Sequence, residues 1–203
     1  PQTDARQCLM ALVEHNLLLR DASADSAPRF HMLQTLREYA LWQLETSGEL
    51  QDLLTTFADF FLRWAEEAEH ALRGHEQVVW IEKVDREHDN LRAVLDSYVN
   101  DDDWNHALRL ASALFEFWVY RGYIAEGSRR LRDILDASAS ATADPLLRAK
   151  ALNGAAMLGY FAGDYEVIIP YTEEALQISK RLNDDTVFAS ASMSLGMAKI
   201  GRA

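Results

Sequence analysis

The sequence predicts an all-α protein, a superhelical array of helical hairpins preceded by part of a winged helix with a small β-hairpin. Gly122, Gly163 and Gly201 stand at matching points in three helix-turn-helix patterns, with spacings of 41 and 38 residues. Hydrophobic residues make up 49% of the chain, which fits a compact, helix-rich protein. A two-helix unit of about 40 residues cannot bury its apolar face alone, so stacked units should share a core and leave a concave surface free.

Residues 1–48 are predicted to be the closing part of a winged-helix domain. Apolar side chains recur at helical spacing over residues 5–15, and a short apolar run, Leu17–Leu19, follows them. Beyond nine turn-like residues, Arg29–Leu33 alternates in the manner of a strand. We therefore expect a helix followed by a two-stranded hairpin.

A second helix is expected to follow this hairpin. Thr35 and Glu38 have the spacing of a capping box, and the apolar stripe behind them ends near Ser47 and Gly48. Cys8 lies on the apolar stripe of the first helix, which favours a buried, unreactive thiol.

Residues 49–100 are predicted to be a connecting helical segment. One broad apolar stripe runs as far as Leu72 and breaks at Arg73–His75, and two shorter helices are expected beyond the break. The stripe consists of Leu53, Leu54, Phe57, Phe60, Phe61, Trp64, Ala65, Ala68 and Leu72. Residues 49–99 hold 12 acidic and 5 basic side chains, most simply interpreted as a solvated outer face.

Residues 101–203 are predicted to form two complete hairpins and the first helix of a third. Asp144 and Pro145 have the form of a helix cap followed by proline at the first helical position, and Asp184 or Asp185 is expected to cap the third forward helix. Pro170 lies inside the second returning helix, where we expect a bend; the alternative is that this helix starts late, near Ile169.

The composition limits the classes of partner and compartment. A net charge of −12 opposes non-specific attraction to nucleic acid or anionic lipid, and a single cysteine fits a reducing, cytoplasmic location. No apolar run approaches the roughly 20 residues of a membrane span. The chain has no starting Met and stops within a third repeat, so we expect it to be a fragment of a longer protein.

Several short motifs together resemble one bacterial family. The winged-helix end of bacterial multidomain signal-transduction (STAND) ATPases, the LuxR-type and AfsR-type transcriptional regulators, resembles three segments here: Leu12–Arg20, Pro28–Leu33 and Leu36–Ala40. The tetratricopeptide-like (TPR-like) sensor arm that follows in that family resembles residues 87–92, 117–127 and 163–176. The chain departs from the repeat pattern at Ile168, where a small residue is usual, and at Pro170.

The resemblance implies a non-catalytic sensor and protein-interaction arm. In such regulators the winged helix packs on an upstream nucleotide-binding module, a DNA-binding domain often lies elsewhere, and the repeats bind a protein partner or small-molecule inducer. That binding shifts a closed, ADP-bound state toward an open, assembling state. The alternative is a free-standing TPR-type adaptor for a protein partner, and sequence upstream of Pro1 would distinguish the two.

No catalytic residue, cofactor or metal ion is predicted. The glycines of the segment 122–128 have phosphate-loop spacing, but the required lysine is missing and the segment lies between helices. His70 and His75 share no helix face that would fix a metal, and His88 has no nucleophile near it in sequence, so a polar network at a helix start is the simpler interpretation. We therefore expect neither ATP binding nor hydrolysis, and no hydrolase activity.

The concave side of the hairpins is the predicted binding site. Mapped onto this chain, repeat geometry places there a partner or inducer groove of Arg109, Glu116, Tyr120, Lys150, Asn153, Met157, Tyr160 and Phe161, with Ser112 and Val119 beside them. The alternative is that the aromatic residues pack the interior. Residues 1–48 hold four arginines against six acidic residues, so no direct contact with nucleic acid is expected. The truncated third hairpin, with Val187, Phe188, Leu195 and Ile200, is expected to leave an apolar patch. This helix should either mediate a dimer contact or be less well ordered than residues 104–181.

Overall fold

The computed structural model describes residues 4–21 and 29–201. The chain divides into two compact units, Pro1–Thr56 and Phe57–Ala203. The elements of the described residues are α1 (Ala5–Glu14), β1 (Leu19–Asp21), β2 (Arg29–His31), α2 (Gln34–Ser47), α3 (Leu50–Leu72), α4 (Gln77–Asn100), α5 (Trp104–Arg121), α6 (Ile124–Ala137), a 3-10 turn (Ser138–Ser140), α7 (Pro145–Ala162), α8 (Tyr165–Leu182) and α9 (Asp185–Gly201). The all-α class with one small β-hairpin is therefore confirmed, whereas the domain limits at residues 48 and 100 stay predictions.

The β-hairpin of the first unit is antiparallel, with Leu19 opposite His31 and Asp21 opposite Arg29. The first strand lies two residues later than predicted. Asn16 takes a positive φ of 57°, and the N–H groups of Leu17 and Leu18 donate to Leu12 at the end of α1. These bonds keep the apolar run out of the strand. Residues 22–28 of the predicted connection lie outside the described residues.

The predicted capping box of α2 is wrong. The helix begins at Gln34, its N-cap Leu33 makes no side-chain hydrogen bond, and Glu38 accepts a hydrogen bond from the Gln34 amide at 2.8 Å. Gly48 ends the helix with a φ of 77°, as expected of a left-handed C-cap. Cys8 is exposed, so the prediction of a buried thiol is also wrong. The reason is that no described residue of the first unit is buried.

The second unit is a two-layer array of helices. From α4 to α9 each helix packs on the next one in the chain, and α7 also packs on α5 and on α9. One hydrophobic core continues from Ala58 on α3 to Ala191 on α9. This shared core is the arrangement that the repeat predicted, because no single hairpin encloses it.

The segment beyond Leu72 is one helix, so the prediction of two shorter helices is wrong. α4 runs unbroken from Gln77 to Asn100 and buries Trp80, Val84, His88, Leu91, Val94, Leu95 and Tyr98. The polar stretch at residues 85–90 is a solvated face with His88 turned inward, and it contains no glycine or proline to end a helix.

Part of the stripe predicted for α3 is not buried. Leu53, Leu54, Phe57 and Phe60 are exposed, whereas Ala58, Phe61, Leu62, Ala65, Ala68 and Leu72 form the covered face. The pattern was too broad because the exposed aromatic and aliphatic residues near the start of the helix have the same spacing as the buried ones.

The hairpin turns follow the sequence signals closely. Gly122 and Gly163 take φ values of 77° and 73° at the ends of α5 and α7, a conformation that favours glycine. Asp144 caps α7 by accepting from the Leu146 N–H at 2.7 Å, with Pro145 at the first helical position. Gly201 is the last described residue of α9, so the predicted third turn lies outside the described residues.

Pro170 lies within α8, which begins at Tyr165, so the alternative start near Ile169 is wrong. The other departure, Ile168, is accommodated by a glycine on the facing helix. A Cβ on Gly159 would lie 2.8 Å from Val167 Cγ2 and 3.4 Å from Ile168 Cγ1. The larger side chains on α8 therefore fill the space that Gly159 leaves on α7.

The helix α9 covers more of its apolar face than predicted. Val187 is only 3% exposed and belongs to the main core, because α9 packs on both α7 and α8. Leu195 is half-buried and Phe188 is exposed at 38%. The side chain of Ile200 lies outside the described residues.

Candidate functional site: a groove along the inner helices

A cavity of about 610 Å³ lies along the inner face of α3, α5, α7 and α9. All of its residues belong to the second unit: Glu66, Glu69, His70, Arg73, Arg109, Ser112, Phe115, Glu116, Leu147, Lys150, Asn153, Gly154, Met157, Thr186, Val187, Ser190, Met193 and Ser194. The volume lies within the roughly 300–1,000 Å³ of small-molecule sites. Six of the predicted groove residues line this one cavity: Arg109, Ser112, Glu116, Lys150, Asn153 and Met157. Their role in binding stays a prediction.

The lining residues form three rows across the helices. On α5 they are Arg109, Ser112 and Glu116, spaced three and four apart so that they share one helix face. Residues 41 positions later on α7, Lys150, Asn153 and Met157, occupy the same places in the next hairpin. Residues 43 positions earlier complete the rows: Glu66 and Glu69 on α3, and Arg73 just beyond its end. The first row is then Glu66, Arg109 and Lys150, the second Glu69, Ser112 and Asn153, and the third Arg73, Glu116 and Met157.

Within the first and the third row, ion pairs join the α3 side of the groove to α5. Arg109 donates to both oxygens of Glu66, at 2.9 and 3.0 Å. Arg73 donates to Glu116 at 2.6 Å and to Glu69 at 2.9 Å. One wall of the groove therefore holds three carboxylates against two guanidinium groups.

Three polar atoms of the lining are shielded from water and have no hydrogen-bond partner. They are Ser112 Oγ, Glu116 Oε2 and Asn153 Oδ1. The Asn153 amide nitrogen donates to the Val187 carbonyl at 3.4 Å, which leaves its oxygen as the unpaired atom. An unpaired, shielded polar atom costs about 1–3 kcal/mol, so three of them on residues that line one cavity are a cost that a bound hydrogen-bond donor would relieve.

The side of the groove formed by α7 and α9 is more apolar. Val187 and Met193 lie on α9, Leu147 and Met157 on α7, and Phe115 of α5 stands between the walls. Lys150 is exposed and, among the described residues, makes no ion pair or hydrogen bond. The groove thus combines an acidic wall with a wall of apolar and uncharged polar side chains, the latter including Thr186 and Ser190, and with the ammonium group of Lys150.

Four predicted groove residues do not line the cavity. Tyr120 and Phe161 are exposed at 46% and 50%, and half-buried Tyr160 packs on the small cluster of Ala156, Ile168 and Ala198. Val119 is outside the lining as well. Tyr120 lies one turn beyond Glu116, and α3 ends at Leu72, so no wall stands opposite it.

The α3 and α9 walls were missed in the sequence. The spacing of 43 residues from Arg109 back to Glu66 would have found the α3 wall, because it nearly equals the hairpin repeat. No marker glycine stands at the end of α3 in the same place as Gly122, and this hid the relation. His70 lines the groove, and no cluster of three or more metal-ligating side chains occurs among residues 4–21 and 29–201.

A second polar network lies away from the groove, between α4 and α6. Glu126 accepts from Arg92 at 2.7 Å and from Arg130 at 3.1 Å, and His88 Nε2 lies 3.7 Å from it. The hydrogen bonds from Arg92, above all, lower the pKa of Glu126 to about 2. Burial and the neighbouring Arg92 lower the pKa of His88. His88 is in the middle of α4, so its expected place at a helix start is wrong.

The chain is similar to three mycobacterial proteins. It is 29% identical over 199 residues to proteins named as putative HTH-type transcriptional regulators, one of Mycobacterium bovis and one from each of two strains of Mycobacterium tuberculosis. The match covers 93% of this chain and 22% of each regulator, so the chain spans about a fifth of their length. No protein-family model and no solved structure matches it. None of the helices in the described part of the chain is long and apolar enough to cross a membrane.

Proposed function

We propose that the chain is the sensor arm of a bacterial transcriptional regulator of the STAND, LuxR or AfsR type, and that its groove receives the partner or inducer. The similarity to HTH-type regulators supports the regulatory role. The groove supports the sensing role, and the observation that carries it is the set of three unpaired polar atoms along one cavity.

The groove spans several helices, so a ligand bound in it could change how those helices pack. A molecule seated in it contacts α3, α5, α7 and α9 together, which are the inner helices of successive hairpins. Differential contact with two arrangements of those hairpins is what a ligand needs to shift a population. In the proposed regulator this shift is passed to a nucleotide-binding module elsewhere in the protein.

The arm is proposed to act by binding alone, without catalysis, ATP, direct contact with nucleic acid or insertion in a membrane. The charged groups of the acidic wall hold each other, since Arg73 and Arg109 are both paired with carboxylates. Charged pairs of this kind fix the orientation of a binding surface and its choice of partner, which suits a binding role.

The test blocks the mouth of the groove without touching the core. Ser190 lies on α9, lines the cavity and is exposed, so Ser190→Trp in the full regulator should fill the groove while the fold is kept. Ala189 is its exposed neighbour outside the lining, so Ala189→Trp is the matched control. We expect Ser190→Trp to abolish induction of the regulated genes, measured by RNA sequencing, and Ala189→Trp to leave it unchanged.

Two results would contradict the proposal. Normal induction with Ser190→Trp would show that the groove is not the sensing site. Loss of a protein complex without any change in transcription would favour the free-standing adaptor.

A further inference from the structure

We propose that the ligand of the groove is a small molecule with a protonated nitrogen on an apolar body. Its nitrogen would lie between Glu69, Ser112 and Glu116, and its body along the α7 and α9 wall. The inference rests on the proposed function, because it names the chemical class of the inducer.

The unpaired atoms of the lining are all able to accept hydrogen bonds. Glu116 Oε2 and Asn153 Oδ1 can only accept hydrogen bonds, and Ser112 Oγ can do so as well. A complementary ligand must therefore donate. All three atoms are shielded in the free chain, so their side chains must turn toward the cavity that they line when a ligand binds.

The acidic wall has more carboxylates than guanidinium groups, so its net charge is negative. Glu66 and Arg109 form a closed pair with two hydrogen bonds. Arg73 alone serves both Glu69 and Glu116, which leaves one negative charge in excess beside Ser112. A protonated amine or guanidine satisfies this charge, and its several N–H groups satisfy the acceptors.

The apolar residues and Lys150 restrict where the body and the cation of the ligand can lie. Phe115, Met157 and Val187 offer an apolar surface next to the acceptors. Lys150 is seven residues from Met157 on α7, which corresponds to roughly 10 Å along a helix. Its ammonium therefore repels a cation from the first row and favours the third row, where Glu116 lies.

The experiment uses three probes with the same indole ring: tryptamine, which carries an ammonium group, indole-3-ethanol, which is its neutral analogue, and indole-3-acetate, which is an anion. Affinities for the 203-residue chain are measured by calorimetry, and the methyl groups of Met157 and Met193 are followed by NMR. We expect tryptamine to bind at least about tenfold more tightly than either analogue, as a charge-assisted hydrogen bond predicts.

Glu116→Gln should lower the affinity for tryptamine about tenfold and leave that for indole-3-ethanol unchanged. Glu173→Gln, an exposed carboxylate of α8 outside the cavity, is the control and should change neither. Glu69→Gln repeats the test if circular dichroism shows that Glu116→Gln is unfolded.

Equal binding of the three probes, preference for the anion, absence of tryptamine binding at millimolar concentration, or insensitivity to both glutamine variants would each overturn the inference. These results are separate from the test of the sensing role. If Ser190→Trp abolishes induction but the amine shows no preference, the groove is the sensor and the ligand class is wrong. If the amine binds through Glu116 while Ser190→Trp leaves induction normal, the chemistry stands and the sensing role is wrong.

Discussion

Gly127 on α6 lies against the indole ring of Trp118 on α5 so closely that a side chain there has no room. A Cβ on Gly127 would stand 2.6 Å from Trp118 Cε3 and 3.0 Å from Leu158 Cδ1 of α7. Three helices therefore meet at this glycine. The phosphate-loop-like spacing of Gly122 and Gly127 has a packing explanation, since the first glycine forms a turn and the second admits the tryptophan.

Replacing Gly127 by alanine should destabilise the chain by about 1–3 kcal/mol, because Trp118 is almost fully buried and cannot move away. Gly196 is a helical glycine of α9 with open space around its Cα, so Gly196→Ala should instead stabilise by about 0.5–1 kcal/mol. Urea unfolding followed by circular dichroism measures both. Equal effects of the two substitutions would contradict the close contact.

The parts of the fold predicted correctly are those fixed by local backbone chemistry. Gly122 and Gly163 have a left-handed conformation, and Asp144 with Pro145 marks a helix start, so the hairpins were visible in the sequence. The unbroken α4 was missed because only tertiary packing turns His88 inward. The capping motif at Thr35 failed because a short motif does not determine which residue starts a helix.

The lining of the cavity was predicted only where the repeat is regular. The spacing of 41 residues relates α5 to α7, and six of the ten residues assigned to the groove line the cavity for this reason. The wall on α3 and the end of the groove beyond Glu116 depend on where neighbouring helices stop. No single residue type in the sequence indicates where those neighbouring helices end.

Ser112→Ala should stabilise the free chain while it weakens binding. The hydroxyl oxygen of Ser112 has no partner and is shielded from water, so its removal should raise the free energy of unfolding by about 1 kcal/mol. Ser190 is also in the lining, but its hydroxyl donates to the Thr186 carbonyl at 3.0 Å, so Ser190→Ala is a control without this gain. Chemical denaturation of both variants checks the difference. A loss of stability in Ser112→Ala would mean that its hydroxyl is paired.

The exposed side chain of Phe188, near the start of α9, is expected to mediate weak self-association. Phe188 remains 38% exposed although Val187 beside it is buried, so α9 carries an exposed aromatic side chain in its first turns. Phe188→Glu should weaken dimer formation at least about tenfold by placing a charge in an apolar contact. Phe161→Glu, at a more exposed position on α7, is the control. Sedimentation over a range of concentrations measures the dimer, and a chain that stays monomeric at high concentration would refute this expectation.

Glu126 should contribute stability that is lost in acid. Because the pKa of Glu126 is lowered to about 2 in the folded chain, its contribution is complete above the ordinary value of 4.5 and disappears as the pH falls toward 2. Glu126→Gln should cost about 2 kcal/mol at neutral pH, allowing for the side chain's partial contact with water. The variant should also lose less stability than the original chain between pH 5 and pH 3, in urea titrations. Glu173→Gln, which is exposed, serves as the control.

His88 should make the chain less stable at mildly acidic pH. Its ring packs between Phe117 and Tyr123, with centroid distances of 5.0 and 4.7 Å, and its side chain is buried near Arg92. Burial and then Arg92 lower the pKa of His88 below the ordinary 6.5, against the opposing charges of Glu126, Asp85 and Asp89. The unfolded chain therefore takes up a proton more readily than the folded chain, and stability falls as the pH drops below 6.5.

His88→Phe keeps a ring between the same neighbours and removes the titration. We expect the urea midpoint of the original chain to fall between pH 7.5 and pH 5.5 by more than that of the variant. Equal falls would show that His88 binds its proton equally well in both states, contrary to the lowered pKa.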